Sequence, residues 1–384
     1  MKRTTAMVAA LAVTTTAAIA GGQDRSGQPI SIIFEEGRYL QFSGSFTNPD
    51  VTGIDPTNQA TGSAADSYIA IGAGYKADFN ENLSYAVILD EPYGANPLYG
   101  PSGSIYSGTQ ANIDSFALTG LLRYKMDGGF SVHGGVSLQQ ISADATISRN
   151  ALNAAAVGAG VATRYASNYT IDTDTSQGAG YVLGAAFEKP EIALRVSLTY
   201  HSSVDHEVDA TEAVTVLPAG AGGAVVNLAG TNKAKAKYPE AVNLEFQTGI
   251  MADTLLFGSV RWANWSEYEL RPTIYNQATR NPIVSYANDG LDYAIGVGRR
   301  FNDNWAGSFR VSWQPEENGA TGGSVFAPAN GRTGYAIGVE YSKDNLEIGT
   351  GIQYTDLGDA NRAGLGNFSG NSALSVGVRV GIKL

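Results

Sequence analysis

Apolar and polar positions alternate in short runs along most of this chain, and the stretch from Pro239 to Leu270 shows the pattern most fully. Val242, Leu244, Phe246, Thr248 and Ile250 fall on one side of an extended segment, with Ala241, Asn243, Glu245 and Gln247 on the other. After Met251-Ala252-Asp253 the alternation returns, Leu256, Gly258, Val260 and Trp262 opposing Ser259, Arg261 and Ala263. A period of two predicts strands with one apolar and one polar face. Such a pair fits a soluble sandwich, whose apolar faces meet, or a membrane barrel, whose apolar faces meet lipid.

The rest of the chain decides between them. Strands are predicted to begin near Arg38, Asp66, Leu83, Asn112, Phe130, Asp174, Glu191, Pro239, Thr254, Gly290, Trp305, Thr333, Asn345 and Asn371. Short turns rich in Asp, Asn, Gly or Pro (78–82, 126–129, 188–190, 251–253, 302–304, 343–344) alternate with long connections (48–65, 92–111, 147–173, 211–238, 271–289, 315–332, 358–370). Short and long connections in strict alternation predict an all-β fold, a transmembrane up-and-down antiparallel barrel of about 14 strands, with periplasmic turns, extracellular loops and both termini periplasmic.

The last strand sets the phase. Leu374, Val376, Val378, Val380, Ile382 and Leu384 share one face, and Ser375, Gly377, Arg379, Gly381 and Lys383 the other. Turning Arg379 toward mid-membrane lipid would cost roughly 2–4 kcal/mol, so the apolar face looks outward. By the same rule Arg123, Arg195, Glu245, Arg261, Arg310, Glu340 and Glu347 point into the lumen, as a selectivity constriction or as a structural network filling the interior. Tyr39, Tyr75, Tyr124, Trp305, Trp313 and Tyr341 are expected to form interfacial girdles. Bacterial barrels usually end in an aromatic residue read by the assembly machinery, the expected partner in folding. This chain ends in Leu384.

Composition agrees. Among 384 residues there are 47 Gly but no Cys, with 16% charged residues and a net charge of −11. The acidic balance argues against nucleic acid as a partner, and the lack of Cys excludes disulfides and thiolate metal sites. Lys2 and Arg3, the small and apolar run from Ala6 to Ile19, and Ala18-Ile19-Ala20 are expected to be a signal peptide over residues 1–20. A short plug over 21–37 and a barrel over 38–384 would follow.

Two further features suggest transport. Strand three runs into Asp90-Glu91-Pro92-Tyr93-Gly94, where proline withholds a ladder donor, so Pro92, Tyr93 and Gly94 mark either a break in the wall or an ordinary loop start. Leu217, Pro218, Val225, Val226 and Leu228, like the Ala-rich run 151–161, are apolar for loops facing water. They form a docking groove, pack on each other, or do both. His201 and His206, five apart on an extended segment, are expected on opposite faces, and no Ser–His–acid set is assembled. His206 with Asp205, Glu207 and Asp209 reads as a solvated cluster before it reads as a cation site. No enzyme activity, cofactor or metal is expected.

The hairpin with Pro239, Trp262, Trp265, Ser266 and Tyr268, the strand count, and the pair formed by 335–341 and 346–357 resemble the FadL-type outer-membrane transporters of long-chain fatty acids and other hydrophobic compounds. The resemblance implies a plugged barrel, a kinked third strand that opens the wall sideways, and apolar docking loops. It further implies passive uptake of fatty acids, or of monoaromatic hydrocarbons, with release into outer-membrane lipid. A non-transporting surface barrel for adhesion or envelope integrity, and a porin for polar solutes, are the alternatives. The chain departs from the full-hatch members, whose Asn-Pro-Ala segment has no counterpart before the first strand, since Asn48-Pro49-Asp50 lies after its start.

Overall fold

The computed structural model describes residues 23–217, 224–316, 324–362 and 364–384, so the expected signal peptide and Pro218 lie outside the described residues. Fourteen strands build the wall. They are β1 (Tyr39–Asp50), β2 (Tyr68–Asp78), β3 (Leu83–Asp90), β4 (Gln110–Lys125), β5 (Phe130–Ile147), β6 (Ser176–Lys189), β7 (Leu194–His201), β8 (Ala241–Met251), β9 (Thr254–Ala263), β10 (Gly290–Arg300), β11 (Trp305–Gln314), β12 (Arg332–Lys343), β13 (Leu346–Leu357) and β14 (Asn371–Lys383). Each pairs antiparallel with the next, and β1 pairs with β14 from Tyr39↔Lys383 to Asp50↔Ser372, which closes the barrel. Closure leaves no sheet edge exposed to lipid except where a strand breaks.

The faces sort as the alternation requires. On β14, Leu374, Val376 and Val378 are 50, 44 and 48% exposed on the outer surface, whereas Ser375 is fully buried and bonded to Thr47. At the end with tight turns, Asp253 and Asp344 adopt φ of 55° and 54°, a left-handed conformation that aspartate tolerates and β-branched residues do not. Phe79, Ile192, Met251 and Phe301 point outward from those turns, and Trp305 packs on Tyr341 at 4.9 Å. Tyr39 departs from the expected girdle. It starts β1 on the inward phase and is fully buried, donating to Glu347 Oε2 at 2.7 Å.

The loop end is more ordered than its composition suggested. Segment 211–238 is no loop: Val204–Leu217 and Val226–Tyr238 pair as a hairpin that carries β7 and β8 beyond the barrel rim. The Ala-rich run forms helix α1 (Arg149–Gly158), capped by Ser148, whose Oγ accepts from Ala151 N at 3.2 Å. A second short helix, α2 (Thr273–Thr279), lies against the hairpin, with Ile274 N and Tyr275 N donating to the buried Glu212.

Between β7 and the hairpin, Ser202 and Ser203 lie outside any strand and reset the alternation. His201 and His206 are therefore both buried on the inner side, not on opposite faces. Residues 23–37 run inside the barrel from the loop end to the start of β1. Their 3-10 turn Ser31–Phe34 buries Ile32, Ile33 and Phe34 against Ala86, Ile88 and Leu121 of the wall.

Candidate functional site

The plug is fixed at both ends by residues of the wall. At its base the Phe34 ring lies under two guanidinium groups, Arg123 at 4.5 Å and Arg195 at 4.7 Å, with His133 edge-on at 6.0 Å. At its tip Asp24 accepts from Arg261 Nη2 at 2.7 Å and from Trp265 Nε1 at 3.0 Å. Gln23 completes the tip, accepting from Tyr238 and donating to Tyr268. These rings and Tyr93 form one buried aromatic cluster, with the half-buried Tyr286 packed against it.

The strand break occurs where proline and glycine suggested. The β3–β4 ladder runs to Asp90↔Ala117 and resumes at Gly94↔Asp114. Glu91, Pro92 and Tyr93 thus oppose only Ser115 and Phe116, the count of a β-bulge. Ser115 Oγ replaces ladder bonds, accepting from Tyr93 N at 2.8 Å and donating to Tyr93 O at 2.6 Å. Bulged inward, the strand leaves its neighbour. The β2–β3 pairing stops at Ala73↔Leu89, and from Tyr68 to Gly72 strand β2 pairs with β1 alone among the described residues.

Pro92, Tyr93 and Gly94 are not the rim of this gap, because Tyr93 turns inward and is 1% exposed within the aromatic cluster. The rim on that side is Asp90 and Glu91. The plug tip lies along the bulge, with Arg25 N donating to Pro92 O at 2.9 Å, Gly94 N donating to Gln23 O at 2.8 Å, and Ser26 bonded to Asp90.

Behind the gap is a cavity of about 240 Å³. A single water needs roughly 10–15 Å³ in such a measure, so the space holds more than an ordered water or two. Its wall joins the lumen-facing Arg195, Glu245, Arg310 and Arg379 to the outward-facing Ile71 and Leu89. A second, smaller pocket lies nearer the loops. It is lined by Ala111, Ile113, Ile171, Leu270 and Phe326 with Gln23 and Asp144 at its edge, and among the described residues no cationic side chain borders it.

Most of the predicted lumen charges are paired. Arg379 meets Glu340 at 2.8 Å, Lys383 meets Glu347 at 2.7 Å, Arg123 meets Glu188, and Arg310 donates to Gln353 at 2.9 Å. This is a structural network more than a ring of like charge. The histidine cluster is split between the two faces of the hairpin: the His206 ring contacts Gln139 and Ser176 on the inner face, while Asp205, Glu207 and Asp209 lie on the other, the last two with Lys233.

Leu217, Val225, Val226 and Leu228 stand exposed at the tip of the hairpin, with Val214 and Val216 buried across the same ladder. Alternation could not have found Arg25, Tyr68, Asp90 and Glu91, because what joins them is the plug threading back past a bulge.

A family model described as outer membrane protein transport protein (OMPP1/FadL/TodX) matches residues 4–369. A Pseudomonas aeruginosa FadL homologue superposes with a TM-score of 0.70 at 15% identity, covering 96% of this chain and 98% of that one. The Pseudomonas putida toluene transporter TodX gives 0.68 at 13% identity over 96% and 98%, and the Ralstonia pickettii toluene transporter TbuX 0.61 at 13% over 90% and 89%. No curated protein matches the chain by sequence.

Proposed function

The chain belongs to the OMPP1/FadL/TodX family of outer membrane transport proteins, and from that premise we infer a passive channel that takes up hydrophobic small molecules and releases them sideways through the wall. In this reading the long loops are extracellular and the termini periplasmic. Substrate enters at the apolar loop pocket, passes the plug tip, and leaves between β2 and β3.

The observation that carries the reading is the missing β2–β3 ladder beyond Ala73↔Leu89, with a cavity behind it that reaches outward-facing side chains. Expelling an acyl chain into periplasmic water would forfeit about 0.8 kcal/mol per exposed methylene, a barrier that a route into lipid avoids. No energy source or chemical step enters the scheme. Outer-membrane lipid is the receiving partner and the barrel-assembly machinery the folding partner.

Long-chain fatty acids are the leading substrate, since the cavity that an anionic headgroup would occupy last is bordered by Arg25, Arg195, Arg310 and Arg379 against Asp90, Glu91 and Glu245, a small cationic excess. Monoaromatic hydrocarbons are the second reading, favoured by the largely apolar lining of the pocket near the loops, Ile113, Ile171, Leu270 and Phe326 among it.

The test is a thiol-reactive linker between cysteines placed at Ala70 and Asp90 in the full chain, assayed in proteoliposomes with a fluorescent fatty acid. Uptake should stop when the gap is bridged and return when a cleavable linker is cut. Undiminished uptake through the bridged barrel would move the route to the lumen.

A further inference from the structure

Backbone groups facing hydrocarbon must find partners within the protein, so an unpaired stretch of wall calls for something to stand in for the missing ladder. In this barrel the stand-in is made of side chains. Glu91, on the bulge, reaches across the gap and accepts the N–H of Ile71 at 3.3 Å through Oε1. Its Oε2 lies 3.6 Å from Arg25 Nη1.

The Arg25 guanidinium in turn touches both edges. It donates to Asn96 Oδ1 on the bulge side, and its Cζ lies 4.5 Å over the inward-facing Tyr68 ring of β2. The fit needs Gly94, because a β-carbon there would overlap the guanidinium. Arg25 is 5% exposed and the Glu91 side chain 18%, so salt screens the pair less than it would a surface pair.

We propose that Arg25 and Glu91 form a latch that holds the lateral gap shut, and that withdrawal of the Arg25 side chain sets the rate of release. The proposal rests on the lateral route and adds to it the moving part. A ladder of backbone bonds would open only by unzipping a strand. A latch of two side chains opens by rotamer changes, which are intrinsically faster than collective motions of the wall.

The experiment compares Arg25→Ala, Arg25→Lys and Glu91→Gln in the full chain with wild type. Initial uptake of the fluorescent fatty acid is measured in proteoliposomes, with folding checked by heat-modifiable migration. Arg25→Ala should raise the rate at least threefold. Glu91→Gln should raise it too, even if the alanine variant folds poorly, and Arg25→Lys, which keeps the charge but loses the planar stack, should fall between. Rates at or below wild type in Arg25→Ala and Glu91→Gln would overturn the latch, provided that bridging Ala70 and Asp90 still stops uptake. Uptake that continues through the bridged barrel would remove the lateral route itself and the latch with it.

Discussion

Asp24 and Arg261 are 237 positions apart in the chain, and their carboxylate and guanidinium meet at 2.7 Å inside the barrel. Both side chains are at most 10% exposed, so neither charge is solvated by bulk water and each lies against the other. Removing one partner of a buried pair costs about 3–5 kcal/mol, because the survivor stays charged and desolvated.

The plug tip should therefore come loose in Asp24→Ala. A cysteine at Ser26 would then react with a water-soluble maleimide at least tenfold faster than in the parent. Asp24→Asn keeps a carbonyl for Trp265 and should lie between the two. Equal labelling in all three proteins would mean that the aromatic cluster holds the tip unaided.

The phase of the wall makes a second prediction. Val378 faces out and Gln41 borders the inner cavity. Val378→Arg puts a charge against lipid at a cost of roughly 2–4 kcal/mol and should impair assembly, while Gln41→Ser should be mild. Heat-modifiable migration on a gel, together with the level of folded protein, separates the two.

The hairpin tip makes a third. Leu217, Val225, Val226 and Leu228 are exposed together, and at about 0.8 kcal/mol per buried methylene their apolar surface could strengthen capture of an acyl chain tenfold or more. Replacing all four with Ser should lower oleate binding by that factor and leave the barrel folded. Unchanged binding by titration would retire the tip as a docking surface.

Asp55 makes a prediction about pH. It ties two loops together, accepting from Gln59 N at 3.0 Å, Ile105 N at 2.7 Å and Ser104 Oγ at 2.8 Å. Burial alone would raise its carboxyl, but these donors and Thr57 outweigh it and hold the group at about 2, below the usual 3.8. A lowered value means that the carboxylate stabilises the knot fully above its unfolded value, and that this support is lost as pH falls through the folded one. Hydrogen exchange at Ile105, corrected for its intrinsic rate, should thus stay slow down to pH 4 and quicken toward pH 2. Asp55→Ala should be fast at neutral pH.

The wall was legible because lipid outside and charges inside impose one period on every strand, and because Asp, Asn, Gly and Pro mark the tight turns. The phase read from Arg379 placed the lumen charges without further help. What was missed depends on interruptions or on distance. Two serines between His201 and His206 reset the alternation, which no local count reveals. The hairpin over 204–238 looked like a loop because its small and apolar residues face neighbouring loops above the barrel, where no lipid enforces the pattern. Tyr39 reads as an interfacial ring until Glu347, 308 positions later, is seen to bind it. Proline and glycine located the bulge, but its edge, Glu91, was visible only with Arg25 in place.

The plug also constrains how the molecule can be put together. Its residues precede β1, and the seam between β1 and β14 joins the two ends of the wall. If that seam closed first, Asp24 and Arg25 would have to be drawn lengthwise through a narrow interior already filled with paired charges. Laid against β8 and β9 while the seam is open, the tip finds Arg261 without passing anything. The order of events is thus written into the topology, with the stopper seated before the ring is shut. A chain lacking residues 23–36 should close sooner, and its refolding in detergent, followed by heat-modifiable migration, would give the rate.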